Sequence, residues 1–150
     1  MEINKKIREH AIISEAVAIN QQDIDMDCLP ILKSLGCRIL KARKNEISLL
    51  FHLGDEHVQG LGIVCGGIAA TMLDFALTFS VLTILEEGER AMSVGLNVAY
   101  LAPVRPGPVF AEARVVIAGK RVAHTEALLK DEKGTLLASA QSPISIKRFG

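Results

Sequence analysis

The chain has no excess of either charge. Lys+Arg and Asp+Glu each number 17 in 150 residues, so the formal net charge is zero. Such a balance gives no electrostatic reason to expect nucleic acid or an anionic membrane as partner. Solubility then rests on surface patterning or on oligomerisation that hides apolar area. Cysteine is scarce as well: Cys28, Cys37 and Cys65 form no CxxC, and the odd number argues against a disulfide framework. The opening M-E-I-N-K-K-I-R-E-H is charged and lacks an uninterrupted apolar core, so no signal peptide is expected and the reduced cytoplasm is the expected setting. His10, His52 and His124 are scattered and make no metal-ligand spacing, so no metal is expected. No repeat or low-complexity tract is present. A length of 150 residues suits one domain spanning 1–150, large enough to bury about 68–70% of its unfolded surface.

What is present centres on residues 57–84, H-V-Q-G-L-G-I-V-C-G-G-I-A-A-T-M-L-D-F-A-L-T-F-S-V-L-T-I. A glycine-punctuated loop runs into Gly66-Gly67 and then into an apolar segment in which Asp74 is the only charged residue from Leu61 to Leu85. The length would suit a bilayer, which needs about 20 apolar residues. An unpaired Asp in mid-span costs about 2.5–3.5 kcal/mol on insertion scales, and the flanking segments are short for independent cores. No membrane span is expected; a buried central helix is. A helix apolar on every face must be wrapped.

The rest of the chain supplies the wrapper. Residues 90–101, 108–118, 121–131 and 134–146 are rich in Val, Ile, Ala and Leu, and turn signals separate them. Pro103, Pro106, Gly107 and Pro108 break the first from the second; Gly119-Lys120-Arg121 and Asp131–Gly134 mark the later turns. Cys37 to Ala42 and Glu46 to Leu53 read as a hairpin around Arg43-Lys44-Asn45. Short strands around one long helix predict an α+β fold with an antiparallel sheet curled over that helix. Ahead of it, Ile3, Ile7, Ala11, Ile12, Ala16 and Ile19 recur at helical spacing, and a short second helix from Met26 to Leu35 follows, with Asp27 as its N-cap and Gly36 as its stop. Residues 1–35 are therefore a helical extension, a lid or packing arm. Gly88 is the expected cap of the central helix.

Two glycines opening a helix leave its first N–H groups unshielded, and the helix dipole adds partial positive charge there. Such an end suits a carbonyl oxygen that becomes an oxyanion. Asp74 lies seven residues beyond Gly67, about 10 Å further along the axis. One helix cannot easily bring its own glycine N–H and its own carboxylate to one carbonyl group, whereas two antiparallel copies can. A C2 homodimer with two equivalent interfacial sites is the expectation, and a dimer of dimers is its natural extension.

The pattern His57-x-Gln59-x-x-Gly62-x-x-Cys65-Gly66-Gly67, with Asp74 nine residues after Cys65, resembles the signature of hotdog-fold acyl-CoA thioesterases of the phenylacetate-degradation and 4-hydroxybenzoyl-CoA types. The likeness runs over about residues 35–147 and includes V-x-Y-L-x-P at Val98–Pro103. It implies hydrolysis of an acyl- or aryl-CoA to the free acid and coenzyme A, without metal or prosthetic group. It also implies roles: Asp74 as nucleophile or general base, the Gly66 N–H as the group that polarises the thioester carbonyl, and Gln59 and Ser93 as orienting groups. His57, Gly67, Phe75, Lys120 and Arg121 are the residues expected about the substrate, the two cations near its phosphates.

Each of these residues also has a plainer role open to it. Gln59 could satisfy loop backbone, Ser93 could bond its own strand, His57 could brace its turn, Phe75 and Phe79 could be core, and the two cations could be solvated. Cys65 departs from the family pattern, standing where the family carries histidine; a thiol is a weak donor, so altered or reduced activity is expected. A helix N-terminus can also lower a thiol's pKa, which leaves Cys65 open as a reactive group. The rival reading is a non-hydrolytic acyl-CoA or acyl-carrier-protein binding protein of the same fold. A dehydratase would need a matched His and acid pair at the helix start, and the sequence has none.

Overall fold

A computed structural model describes residues 7–149. In chain order the elements are α1 (Arg8–Ile19), β1 (Ile24–Asp25), α2 (Pro30–Ser34), β2 (Arg38–Arg43), β3 (Glu46–Leu53), α3 (Gly66–Leu82), β4 (Glu89–Ser93), β5 (Asn97–Tyr100), β6 (Gly107–Ala118), β7 (Val122–Lys130) and β8 (Leu136–Arg148). All eight strands join one antiparallel sheet in the order β1-β2-β3-β6-β7-β8-β4, with β5 also on β8. The sheet curls around α3, giving the hotdog architecture.

Alternation decides which side of each strand meets the helix. Along β3, Ile47, Leu49, Phe51 and Leu53 are buried while Ser48, Leu50 and His52 point away. Ala111 and Ala113 of β6, Ala127 and Leu129 of β7, and Ala138 and Ala140 of β8 continue the inner face. Small alanines let the helix approach closely. Met72, Leu73, Ala76 and Leu77 of α3 fill the space completely buried, and each of the larger side chains contributes about 1.5–3 kcal/mol of burial. Register shifts at Ile39/Lys41, Val115/Ile117 and Leu129/Lys130 add local twist, which bends the sheet over the helix.

Several boundaries differ from the sequence reading. The strand expected at 90–101 is two strands: the Val94 N–H still donates to the Pro143 carbonyl (3.0 Å), Gly95 and Leu96 leave the ladder, and Ser142 Oγ donates to the Gly95 carbonyl at 2.5 Å. A two-residue strand, β1, precedes α2 and was not anticipated. Asp27 does not cap α2; Leu29 occupies that position and Pro30 opens the helix. Gly88 does not cap α3, which ends at Leu82 with Thr83 as C-cap; Gly88 (φ 84°) sits in the turn to β4 instead. Arg43 belongs to β2, so the hairpin turn is Lys44-Asn45, with Asn45 at φ 71°. In α1, Ile13 and Ala16 are buried but Ile19 is 60% exposed; the start of that predicted helix, including Ile3, lies outside the described residues. The helix packs on α3 and β2 as an arm, with His10 Nε2 3.3 Å from the Leu85 carbonyl oxygen.

Gly36 is the predicted stop, and the structure gives its reason. It takes φ +57°, and a Cβ there would lie 2.9 Å from the His52 Cβ and 3.1 Å from the His52 carbonyl oxygen. Gly36→Ala therefore combines left-handed strain with a backbone clash and should cost about 2 kcal/mol, read as a fall in unfolding free energy by chemical denaturation.

Candidate active site

The loop that feeds α3 is fastened before the helix begins. A 3-10 turn at Asp55–His57 leads to a bridge between Val58 and Val64. Within it the Gln59 N–H donates to the Ile63 carbonyl (2.8 Å), and the Gly62 N–H donates to the Gln59 carbonyl (2.9 Å). Two more backbone bonds fix the helix entry: Val64 N–H to the Val104 carbonyl (2.8 Å) and Cys65 N–H to the His57 carbonyl (2.9 Å). Cys65 is the N-cap residue and makes no side-chain cap; its carbonyl takes the Ile68 and Ala69 N–H groups. Gly66 and Gly67 are exposed, and among the described residues their N–H groups find no acceptor.

The sequence reading had α3 enclosed on every side. Instead, Gly67 is exposed and Ala70, Thr71, Asp74 and Thr78 are partly exposed along one side, with Met72, Leu73, Ala76 and Leu77 buried on the other. A period of 3.6 residues puts these positions on one side. Asp74, the lone charge of the run, thus stands at the surface of a single chain rather than inside apolar packing. Ser93, at the end of β4, donates its hydroxyl to Asp74 Oδ1 at 2.5 Å, and Thr78 Oγ1 lies 3.4 Å from Ser93 Oγ. The edge-strand hydroxyl of Ser93 holds the carboxylate, and the helix hydroxyl of Thr78 stands beside Ser93.

The other candidates divide by position. Gln59 accepts the Leu61 N–H through Oε1 at 2.7 Å, so the loop itself orients the amide. His57 is 6% exposed, its Nδ1 accepting the Gly54 N–H (3.1 Å) and its Nε2 3.3 Å from Ser34 Oγ. Both ring nitrogens are engaged below the surface, where the ring braces the loop; His57 is accordingly no surface for substrate. Phe75 is half-buried and packs against Phe79, with ring centroids 5.4 Å apart. Lys120 and Arg121 are exposed on the β6–β7 turn. That end of the sheet packs on the C-terminal part of α3, where Val81 meets Ala123, Ile144 and Ile146, about 22 Å along the axis from Gly66.

Two residues were missed. Thr78 follows Asp74 by one helical turn, a spacing that could have drawn notice. Tyr100 donates to the Gly66 carbonyl at 2.9 Å across 34 positions of sequence; the V-x-Y-L-x-P run contains it but does not reveal that contact. A concavity of about 620 Å³ lies on the sheet's outer face between Glu46, Ser48, Leu128 and Gln141 and touches none of the candidate residues.

Comparison with known proteins gives the family. The model of the thioesterase superfamily matches residues 61–138, which span the glycine pair, Asp74, Ser93 and Tyr100. A protein of Halobacterium salinarum named as a candidate esterase is 35% identical over 117 residues, covering 75% of this chain and 76% of its own length. Human acyl-coenzyme A thioesterase 13 is 28% identical over 105 residues, 69% of this chain and 74% of that protein. Among solved structures, a Bacillus halodurans protein crystallised with CoA superposes with a TM-score of 0.64 at 27% identity, over 67% of this chain and 66% of that one.

The three thiols differ in environment. Burial pushes the Cys37 thiol up to about 12, whereas Cys65 is exposed at the helix start. At pH 8 a thiol reagent should label Cys65 first and leave Cys37 unlabelled until the chain unfolds, because the thiolate is the reactive form. Peptide mass spectrometry of timed samples reads the order, and Cys37 labelling in the native protein would contradict it.

Proposed function

This chain belongs to the thioesterase superfamily and is a hydrolase acting on thioesters, and from that premise we propose an acyl- or aryl-CoA as its substrate. Asp74 attacks the thioester carbonyl or deprotonates the water that does; the Gly66 N–H takes the developing oxyanion. The observation that carries this reading is the pairing of a carboxylate fixed by the Ser93 hydroxyl with unbonded glycine amides on one open helical stripe. The human relative's name and the CoA in the Bacillus halodurans structure support coenzyme A as the leaving group. The chemistry needs only side chains and backbone, and its setting is the cytoplasm.

The site is completed by a second copy. Gly66 and Asp74 are eight residues apart, about 12 Å along α3, too far to meet on one carbonyl group. An antiparallel α3 from a twofold mate brings each Gly66 opposite the other copy's Asp74, with the axis passing beside Ala70, whose small side chain permits close approach. Met92, Val94, Leu96, Tyr100 and Leu101 leave an apolar row exposed on the neighbouring edge strands, which such a dimer would cover. Gln59 orients water or carboxylate from the loop, and Thr78 adds a second hydroxyl beside Ser93. Lys120 and Arg121 are assigned to the CoA phosphates, Phe75 and Gly67 to the wall of the acyl site. Two such dimers pair into a tetramer.

Subunit mixing tests this arrangement. Asp74→Asn should lower kcat about 100-fold or more on hexanoyl-CoA or benzoyl-CoA. Gly66→Pro deletes the N–H at a helix position that tolerates proline, after a Cys65 already at ψ 135°, and should cost about 100- to 1000-fold. Equal mixtures of the two, exchanged into heterodimers, should regain about a quarter of wild-type activity, since half the dimers then hold one intact site. No recovery would place both groups in one chain's site. Binding of acyl-CoA by the wild type without thiol release on either thioester would instead favour the non-hydrolytic carrier, in which Cys65 has replaced a catalytic histidine.

A further inference from the structure

Tyr100 is the chain's single tyrosine and is 57% exposed, yet its hydroxyl is committed to the Gly66 carbonyl at 2.9 Å. Its ring lies on the side of Gly66 where a side chain would project: Cε1, Cζ and Oη each stand 3.5 Å from the position of a Cβ. Consecutive glycines are the most mobile backbone available, and here they open a helix that has no side-chain cap. The tyrosine supplies both the wall and the anchor that those residues lack.

We infer that Tyr100 is a positioning residue of the oxyanion site, acting through the peptide that joins Gly66 to Gly67; this rests on the thioesterase reading above. The Gly66 carbonyl and the Gly67 N–H are the two ends of one amide. A hydroxyl donating to the oxygen draws electron density toward it and leaves the N–H more positive, the cooperative strengthening seen along hydrogen-bonded chains. The same contact fixes the amide plane and so the direction of the Gly67 N–H. Gly67 thereby becomes a second donor beside Gly66, preorganised before the thioester arrives.

The anchor is itself well held. Tyr100 ends β5 opposite Ala138, and the N–H groups of Leu101 and Ala102 both donate to the Leu137 carbonyl, at 2.9 and 3.0 Å. Four residues on from Tyr100, the Val104 carbonyl accepts the Val64 N–H at the loop that enters α3. The start of α3 is thus tied twice to the β5 end and the segment after it, by backbone at Val64 and by a phenol at Gly66.

Tyr100→Phe keeps the ring and deletes the hydroxyl. With hexanoyl-CoA and benzoyl-CoA as probes, kcat should fall about tenfold, with KM within about twofold and melting temperature and oligomer size unchanged. Because the chain has one tyrosine, growth on 3-fluorotyrosine replaces only this side chain; that protein retains the donor and should keep kcat within about twofold of wild type. Unchanged kcat in the Phe variant overturns the inference, as does a loss that comes with a raised KM and a lowered melting temperature, which marks packing alone. If Asp74→Asn abolishes turnover while Tyr100→Phe does not reduce it, only this inference fails. If the wild type releases no thiol from either probe, the functional reading fails with it.

Discussion

The structure depends on one helix being buried on its flanks and bare along a single stripe. The sheet does the burying, because its inner face is built from alanines and aliphatic side chains that fit closely against Met72, Leu73 and Leu77. That packing fixes the rotation of α3 about its own axis: the alternating strands accept only its apolar flanks. Thr71, Asp74 and Thr78 are turned to the remaining side, while the one buried polar side chain of the helix, Ser80, returns its hydroxyl to the Leu77 carbonyl. The candidate chemistry is the part of the helix that the core rejects.

Local bonds then convert that stripe into a site. A carboxylate on a helix surface would ordinarily sample several rotamers, and the Ser93 hydroxyl removes that freedom by holding Oδ1 at 2.5 Å. At the other end, Cys65 brings no cap, so two amides that most helices satisfy with a side chain stay open toward solvent. A side-chain cap at position 65 would compete with any ligand for those amides. The thiol, a poor hydrogen-bonding group, leaves them free.

Edge strands carry a second consequence of the same design. β4 and β5 divide one edge of the sheet between them because Gly95 and Leu96 leave the ladder, where the Ser142 hydroxyl takes the Gly95 carbonyl. The break sets Ser93 at the end of β4 beside Asp74 and sends Tyr100, at the end of β5, to Gly66. One irregular edge therefore serves both ends of the helical stripe, and its exposed apolar side chains are those that the proposed dimer covers.

How much of this could be read beforehand follows from the range of the forces involved. The central helix, the long strands and their turns were legible because alternation, helical spacing and glycine or proline breaks are properties of neighbouring residues; the alternation of Ile47, Leu49 and Phe51 is written in eight consecutive letters. Asp74 was legible as the one charge in an apolar run, and Gly66-Gly67 as an uncovered helix start. Helix ends were less so: Gly88 looked like a cap, but α3 stops six residues sooner. The inward turn of His57, the open stripe of α3, the split of the 90–101 strand and the hold of Tyr100 on Gly66 required the folded chain. They are decided by contacts between residues distant in sequence, and no local pattern records which side of a helix a sheet will leave uncovered.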